Sequence, residues 1–90
     1  MTEQEAIELA TKYQEQRHRS VKIARVHRVS QEKMDELAEW SGKSRVAEWP
    51  EWMRPLAHWV VRFDRGWKTL PDEYVISVYD DGYVAETPAL

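Results

Sequence analysis

The segment 74–86, YVISVYDDGYVAE, constrains the fold more than any other part of the chain. Two runs rich in β-branched and aromatic residues flank Asp81-Gly82, a strong hairpin signal because such a pair readily supplies the positive φ angles a tight turn needs. Residues 74–80 therefore read as one strand and residues 83–87 as the next, with Pro88 ending it. A lone hairpin is marginal in water, so this one must belong to a larger sheet with a covered face.

Residues 56–64, which follow Pro55, supply a central strand. Ala57, Trp59, Val61 and Phe63 fall on one face, against His58, Val60, Arg62 and Asp64 on the other. Residues 65–72 connect it to the hairpin. A further strand starts near Val21, where Val21, Ile23, Val26 and Val29 are interleaved with Lys22, Arg25, His27 and Arg28. Val21 and Ile23 have one parity while Ala24 and Val26 have the other, and a β-bulge near Ala24 reconciles them. The face taken by His27 stays open at this point.

The cover for the sheet is the first segment. Thr2-Glu3-Gln4-Glu5 fits a capping box, and Ala6, Leu9, Ala10 and Tyr13 then recur at helical spacing, flanked by Ile7. Glu3, Glu5 and Glu8 near the start and Lys12, Arg17 and Arg19 near the end complement the helix dipole. The pattern predicts a helix from about residue 3 to about residue 18. Ala6, Leu9, Ala10 and Tyr13 are then expected to meet Trp59, Val61 and Phe63.

Between the first two strands lies a connection of about 25 residues, far longer than a hairpin loop needs, and long connections are often functional. Ser30 caps a second helix over residues 31–41, with Met34, Leu37, Ala38 and Ser41 as its apolar stripe and Gly42 placed to end it. Residues 43–54 are irregular, with Pro50 able to open one helical turn through Met53. The expected class is α+β: an N-terminal helix on a four-stranded antiparallel sheet, with a helical, Trp-rich insertion at about residues 30–54. At 90 residues the chain makes one domain, 1–90, burying roughly 65% of its unfolded surface.

Charge and composition narrow the function classes. Thirteen basic and 16 acidic residues leave a net charge of −3, without the basic excess of a general nucleic-acid binder. The absence of cysteine favours a reducing compartment. The first thirty residues lack the basic start and apolar stretch of a signal peptide, and no apolar run approaches a membrane span. A soluble, cytoplasmic protein is expected, without membrane association.

Candidate chemistry is sparse. Gly42-Lys43-Ser44 has the tail of a phosphate-binding loop, but Leu37 stands where the loop needs its first glycine, and a helix precedes it where a strand is required. A helix C-cap with a solvated lysine is the better reading. His18, His27 and His58 show no metal-ligand spacing, although His27 and His58 approach one another if their strands pair. Asp80-Asp81 and Asp72-Glu73 suggest paired carboxylates, yet turn residues point outward and lack the apolar pocket that raises a carboxyl pKa. No serine sits in a G-x-S-x-G elbow. Arg17, Arg19, Lys22, Arg25 and Arg28 cluster locally and read as a solvated face balanced by the acidic insertion, with phosphate or an acidic protein as the alternative partner. The expectation is a chain with no catalytic residues, no cofactor and no metal site.

The five tryptophans carry more information. Trp59 belongs to the core strand, whereas Trp40, Trp49 and Trp52 lie in the insertion and Trp67 in the connecting loop. Folding back to close the core accounts for the insertion group; exposure would make it a binding patch, flanked by Arg45 and Arg54, since Trp and Arg dominate interface energies.

The opening helix EAIELATKY, the central strand WVVRF and the hairpin YVISVYDDGYVAE together resemble small bacterial proteins with a cystatin-like or NTF2-like half-barrel, including the YrhB-type immunity proteins of polymorphic toxin systems. The resemblance covers about half the chain, and the Trp-rich insertion departs from it. It implies a protein that binds and blocks a toxin without catalytic residues. The leading expectation is a non-enzymatic protein-binding module, an immunity-type inhibitor, with Trp40, Arg45, Trp49, Trp52 and Arg54 as partner-binding residues. The first alternative is a small-ligand domain whose pocket lies between helix and sheet, lined by Tyr13, Trp59 and Phe63. The second is a homodimer formed across an open sheet edge.

Overall fold

The computed structural model describes residues 1–41, 53–66 and 73–87. The elements follow the order α1 (Glu3–Gln16), β1 (Ile23–Val29), α2 (Gln31–Ser41), β2 (His58–Asp64), β3 (Glu73–Tyr79) and β4 (Val84–Thr87). The strands form one antiparallel sheet in the order β1-β2-β3-β4. The α+β architecture read from the sequence is the one observed. The Gly42 cap, the Pro50 turn, Arg45, Trp49, Trp52, Trp67 and Pro88 lie outside the described residues.

α1 starts as its capping box dictates, with the Glu5 N–H donating to the Thr2 hydroxyl and the Glu5 carboxylate accepting from the Thr2 N–H. It ends two residues earlier than the charge pattern predicts, so Arg17 and Arg19 fall past the last turn, which holds no basic residue. His18 takes φ +54°. Its N–H donates to the Glu15 carbonyl and the Arg19 N–H to the Gln14 carbonyl, the paired bonds of a Schellman stop.

The core sits between α1 and one face of the sheet. Ala6, Ala10, Val61, Phe63, Ile76 and Val78 are fully buried there, with Leu9, Tyr13, Val26, Trp59, Tyr74 and Val84 packed against them. The small Ala6 and Ala10 let the helix axis approach the sheet closely. The bulge at Ala24 is present: Ile23 pairs with Phe63 and Arg25 with Arg62, one residue out of step. That extra residue places both Ile23 and Val26 on the α1 face.

The closing turn differs from the two-residue form suggested by Asp81-Gly82. Gly82 alone takes positive φ, +90°, among residues 80–82, and its N–H donates to the Tyr79 carbonyl. The Tyr79 N–H donates in turn to the Tyr83 carbonyl, so Asp80-Asp81-Gly82 is a three-residue loop with glycine in the left-handed place.

β2 is covered on both faces. His58, Val60, Val61 and Phe63 are all buried, although they alternate between the two sides of the strand. On the side away from α1, Met34 and Leu37 of the second helix line a groove together with His58 and Val60. Ser30 caps that helix by accepting from the Lys33 N–H, and Met34, first in its apolar stripe, is 2% exposed. The Gln31 side chain ties this helix to the start of β2. Its amide Nε2 donates to the Pro55 carbonyl at 3.1 Å and its Oε1 accepts from the Ala57 N–H at 3.0 Å.

Candidate functional site

The register orders the second sheet face into rows of neighbouring side chains. Val29, His58 and Tyr79 form one row; His27, Val60, Ser77 and Ala85 the next; Arg25, Arg62, Val75 and Thr87 a third. Between this face and α2 lies a groove of about 450 Å³. Val60, Val75 and Ser77 contribute from its sheet side, and Met34 and Leu37 from α2. Its polar groups are His27, His58 and Arg62, together with the hydroxyls of Ser77, Tyr79 and Thr87.

His27 and His58 thus share one face, diagonal to each other across β1 and β2. The His58 ring stacks on the Tyr79 ring with centroids 4.7 Å apart. Its Nδ1 lies 2.9 Å from the Leu56 carbonyl, which can only accept, so Nδ1 carries the proton and Nε2 is the nitrogen able to gain one. Burial lowers the His27 pKa below the ordinary histidine value, reinforced by the positive charges of Arg62 and Arg25 and by His58. Burial likewise raises the Tyr79 pKa, and its hydroxyl accepts a 2.9 Å bond from the Arg54 N–H.

Of the partner-binding residues expected from the sequence, two are described. Trp40 is 87% exposed on the last turn of α2, where it borders a shallow hollow with Lys33, Glu36 and Leu37. Arg54 is occupied at the other end of the insertion. Its guanidinium pairs with Asp81 at 2.6 Å and lies 3.8 Å from the Tyr83 ring centroid. No hydrogen bond, ion pair or ring contact joins it to Trp40 among the described residues.

The residues expected to line a pocket between helix and sheet belong to the packed layer. Phe63 is fully buried, and Tyr13 and Trp59 pack on the same core. Trp59 also donates from its indole to the Met1 carbonyl at 3.4 Å and carries the Arg28 guanidinium over its ring. The groove opens on the opposite face, which sequence reasoning did not single out. The sequence signal available for it is the alternation His58, Val60, Arg62, which sets two polar residues around an apolar one on a single face.

Among the described residues, four of the five cations in the basic cluster pair with acids of the sheet and its closing loop, while Glu48 and Glu51 of the insertion lie outside the described residues. Arg19 pairs with Glu86, Lys22 with Asp64, Arg25 with Glu73 and Arg28 with Asp80. Arg17 reaches back to the Tyr13 carbonyl and stacks over its ring at 3.5 Å. The Asp80-Asp81 pair is likewise engaged, since Asp81 accepts from both Arg54 and the Tyr83 N–H.

Among the described residues no group of three or more His, Cys, Asp or Glu side chains is placed to hold a metal ion, and no helix is long and apolar enough to cross a membrane. Compared with protein-family models, curated proteins and solved structures, the chain matches none.

Proposed function

We propose that the protein is a non-enzymatic protein-binding module that acts as an immunity-type inhibitor of a bacterial toxin in the cytoplasm. The observation that carries the binding reading is Trp40. A tryptophan exposed to 87% leaves most of a large apolar ring in water, and burying it against a partner recovers that area. It stands at the end of α2, where the chain enters the segment containing Arg45, Trp49 and Trp52. The immunity reading rests in addition on the resemblance of the opening helix, the central strand and the closing hairpin to proteins of that kind.

Co-expression with the product of the gene immediately upstream tests both halves. Growth arrest by that product, relieved by the wild-type chain, is the expected result, and no arrest or no relief overturns the immunity reading. Trp40→Ala is expected to weaken the complex about 30-fold or more while leaving stability within about 0.5 kcal/mol of wild type. Equal affinity of wild type and variant removes Trp40 from the interface.

A further inference from the structure

A second site is drawn by the charges of the groove, independently of Trp40. Every other described arginine has a named partner: Arg17 the Tyr13 carbonyl, Arg19 Glu86, Arg25 Glu73, Arg28 Asp80, Arg54 Asp81 and Arg65 the Glu73 carbonyl. Arg62 is half-buried and makes no hydrogen bond, ion pair or ring contact among the described residues. Its position worsens the balance, because Arg25 stands directly opposite it on β1. Like charges in register repel, and a partly desolvated guanidinium without a counter-ion is unfavourable.

Neither acid on this face is hydrogen-bonded or ion-paired to Arg62 among the described residues, although Glu73 Oε2 is buried there without a hydrogen-bond partner. Glu73 is bonded to Arg25 at 2.7 Å, and Asp64 accepts from the Gly66 N–H at 2.7 Å and faces Lys22. No aspartate or glutamate joins the described groove lining, which is apolar apart from the three cationic or protonatable groups and the Ser77, Tyr79 and Thr87 hydroxyls. A volume of about 450 Å³ is within the range of small-molecule sites.

We propose that this groove binds a small amphipathic carboxylate. The head group pairs with Arg62 beside His27, and the apolar body lies along Val60, Val75 and Met34 toward Leu37. Planar, two-pronged pairing of a guanidinium with a carboxylate is the strongest contact available to a lone arginine. The apolar walls select a tail over a bare inorganic anion. Neither half alone explains the site: an unpaired cation on an open surface needs no tail, and an apolar cleft needs no arginine.

Titration of the isotopically labelled full chain with octanoate, octanamide and acetate, followed by amide resonances, separates these contributions. Octanoate is expected to shift the resonances of His27, Val60, Arg62 and Ser77. Octanamide, with the same tail and no charge, is expected to bind at least about tenfold more weakly, as is acetate, which lacks the tail. Arg62→Gln is expected to bring octanoate down to the affinity of octanamide without changing octanamide itself. Equal binding of octanoate and octanamide to wild type overturns the charge assignment. Shifts confined to Arg17, Arg19 or other surface sites, or no binding, overturn the site. The wild-type titrations decide the matter even if Arg62→Gln folds poorly.

Discussion

Arg28 and Asp80 form a two-pronged ion pair, with Nη1 2.7 Å from Oδ1 and Nη2 2.8 Å from Oδ2. Arg28 lies on the edge strand β1 and Asp80 in the loop after β3, so the pair spans β2 over the Trp59 ring. It fastens an otherwise exposed edge strand to the closing turn. The hydrogen bonds from Arg28 hold the Asp80 carboxyl below its ordinary 3.8 against the opposing effect of desolvation, and the positive charge of Arg28 adds to them. A carboxylate with a depressed folded pKa contributes stability that is present above the unfolded value and lost as pH falls through the folded one. Acid unfolding curves should therefore show a component below pH 3.8 that Asp80→Asn removes. Both side chains are more than a third exposed, at 35% and 39%, so the loss at neutral pH is set by exposed-pair energetics. It is expected to be about 0.5 kcal/mol. An unchanged acid profile in the variant would show that the pair contributes nothing to folding.

His18 occupies the left-handed stop of α1 at φ +54°, a place glycine takes without strain. No hydrogen bond, ion pair or ring contact of its side chain is described, while both backbone bonds of the stop are made by main-chain groups. His18→Gly keeps those bonds and removes the Cβ clash, partly offset by the greater freedom of glycine in the unfolded chain. The expected outcome is a gain of about 0.5 kcal/mol, or about 3 °C in Tm. A loss on thermal unfolding would mean that the imidazole contributes packing that its backbone angle does not disclose.

These two sites illustrate what the sequence could and could not convey. α1, the Ser30-capped α2 and the bulge at Ala24 were legible because each is written in a local period or a break in parity. The His18 stop was not, since no glycine marks it. The Asp81-Gly82 signal located the turn but left its length open, because glycine serves a two-residue and a three-residue loop alike. Alternation placed Ala57, Trp59, Val61 and Phe63 on a common face, yet it could not say that α2 would line a groove with His58 and Val60 on the other. The same limit hid the groove: strand pairing decides that Arg62 meets Arg25, and that Glu73 on β3 gives its Oε1 to Arg25. Periodicity assigns a face, whereas the pairing of charges among the described residues becomes visible only once the strand register is known.

Gly82 isolates a backbone effect. A Cβ added there meets no atom within 4 Å, so any penalty for Gly82→Ala arises from holding φ at +90°. The expected destabilisation is about 1 kcal/mol in urea unfolding. Gly82→Asn should lose less, because asparagine tolerates the left-handed region better than alanine does. If alanine and asparagine lose equally, conformational preference is not what selects glycine at this turn.

Gln31 offers the sharpest test of how α2 is held to the sheet. Its amide donates to the Asp35 carboxylate at 3.0 Å and to the Pro55 carbonyl at 3.1 Å, while its Oε1 accepts from the Ala57 N–H at 3.0 Å. It is also the first residue of α2, where the helix dipole favours a negative charge. Two physical effects therefore disagree about Gln31→Glu. The dipole predicts a gain of a few tenths of a kcal/mol. The hydrogen bonds predict a loss, because a carboxylate cannot donate to Pro55 and would face Asp35 one turn away. Because the Ala57 N–H must still find its acceptor, the bonds should prevail. Gln31→Ala is expected to lose about 1 kcal/mol and Gln31→Glu to fall between alanine and wild type. Hydrogen exchange at the Ala57 amide should accelerate in alanine and stay close to wild type in glutamate, which keeps the acceptor oxygen. A glutamate variant more stable than wild type would reverse this ranking and make the helix end, not the clamp, the element that fixes α2.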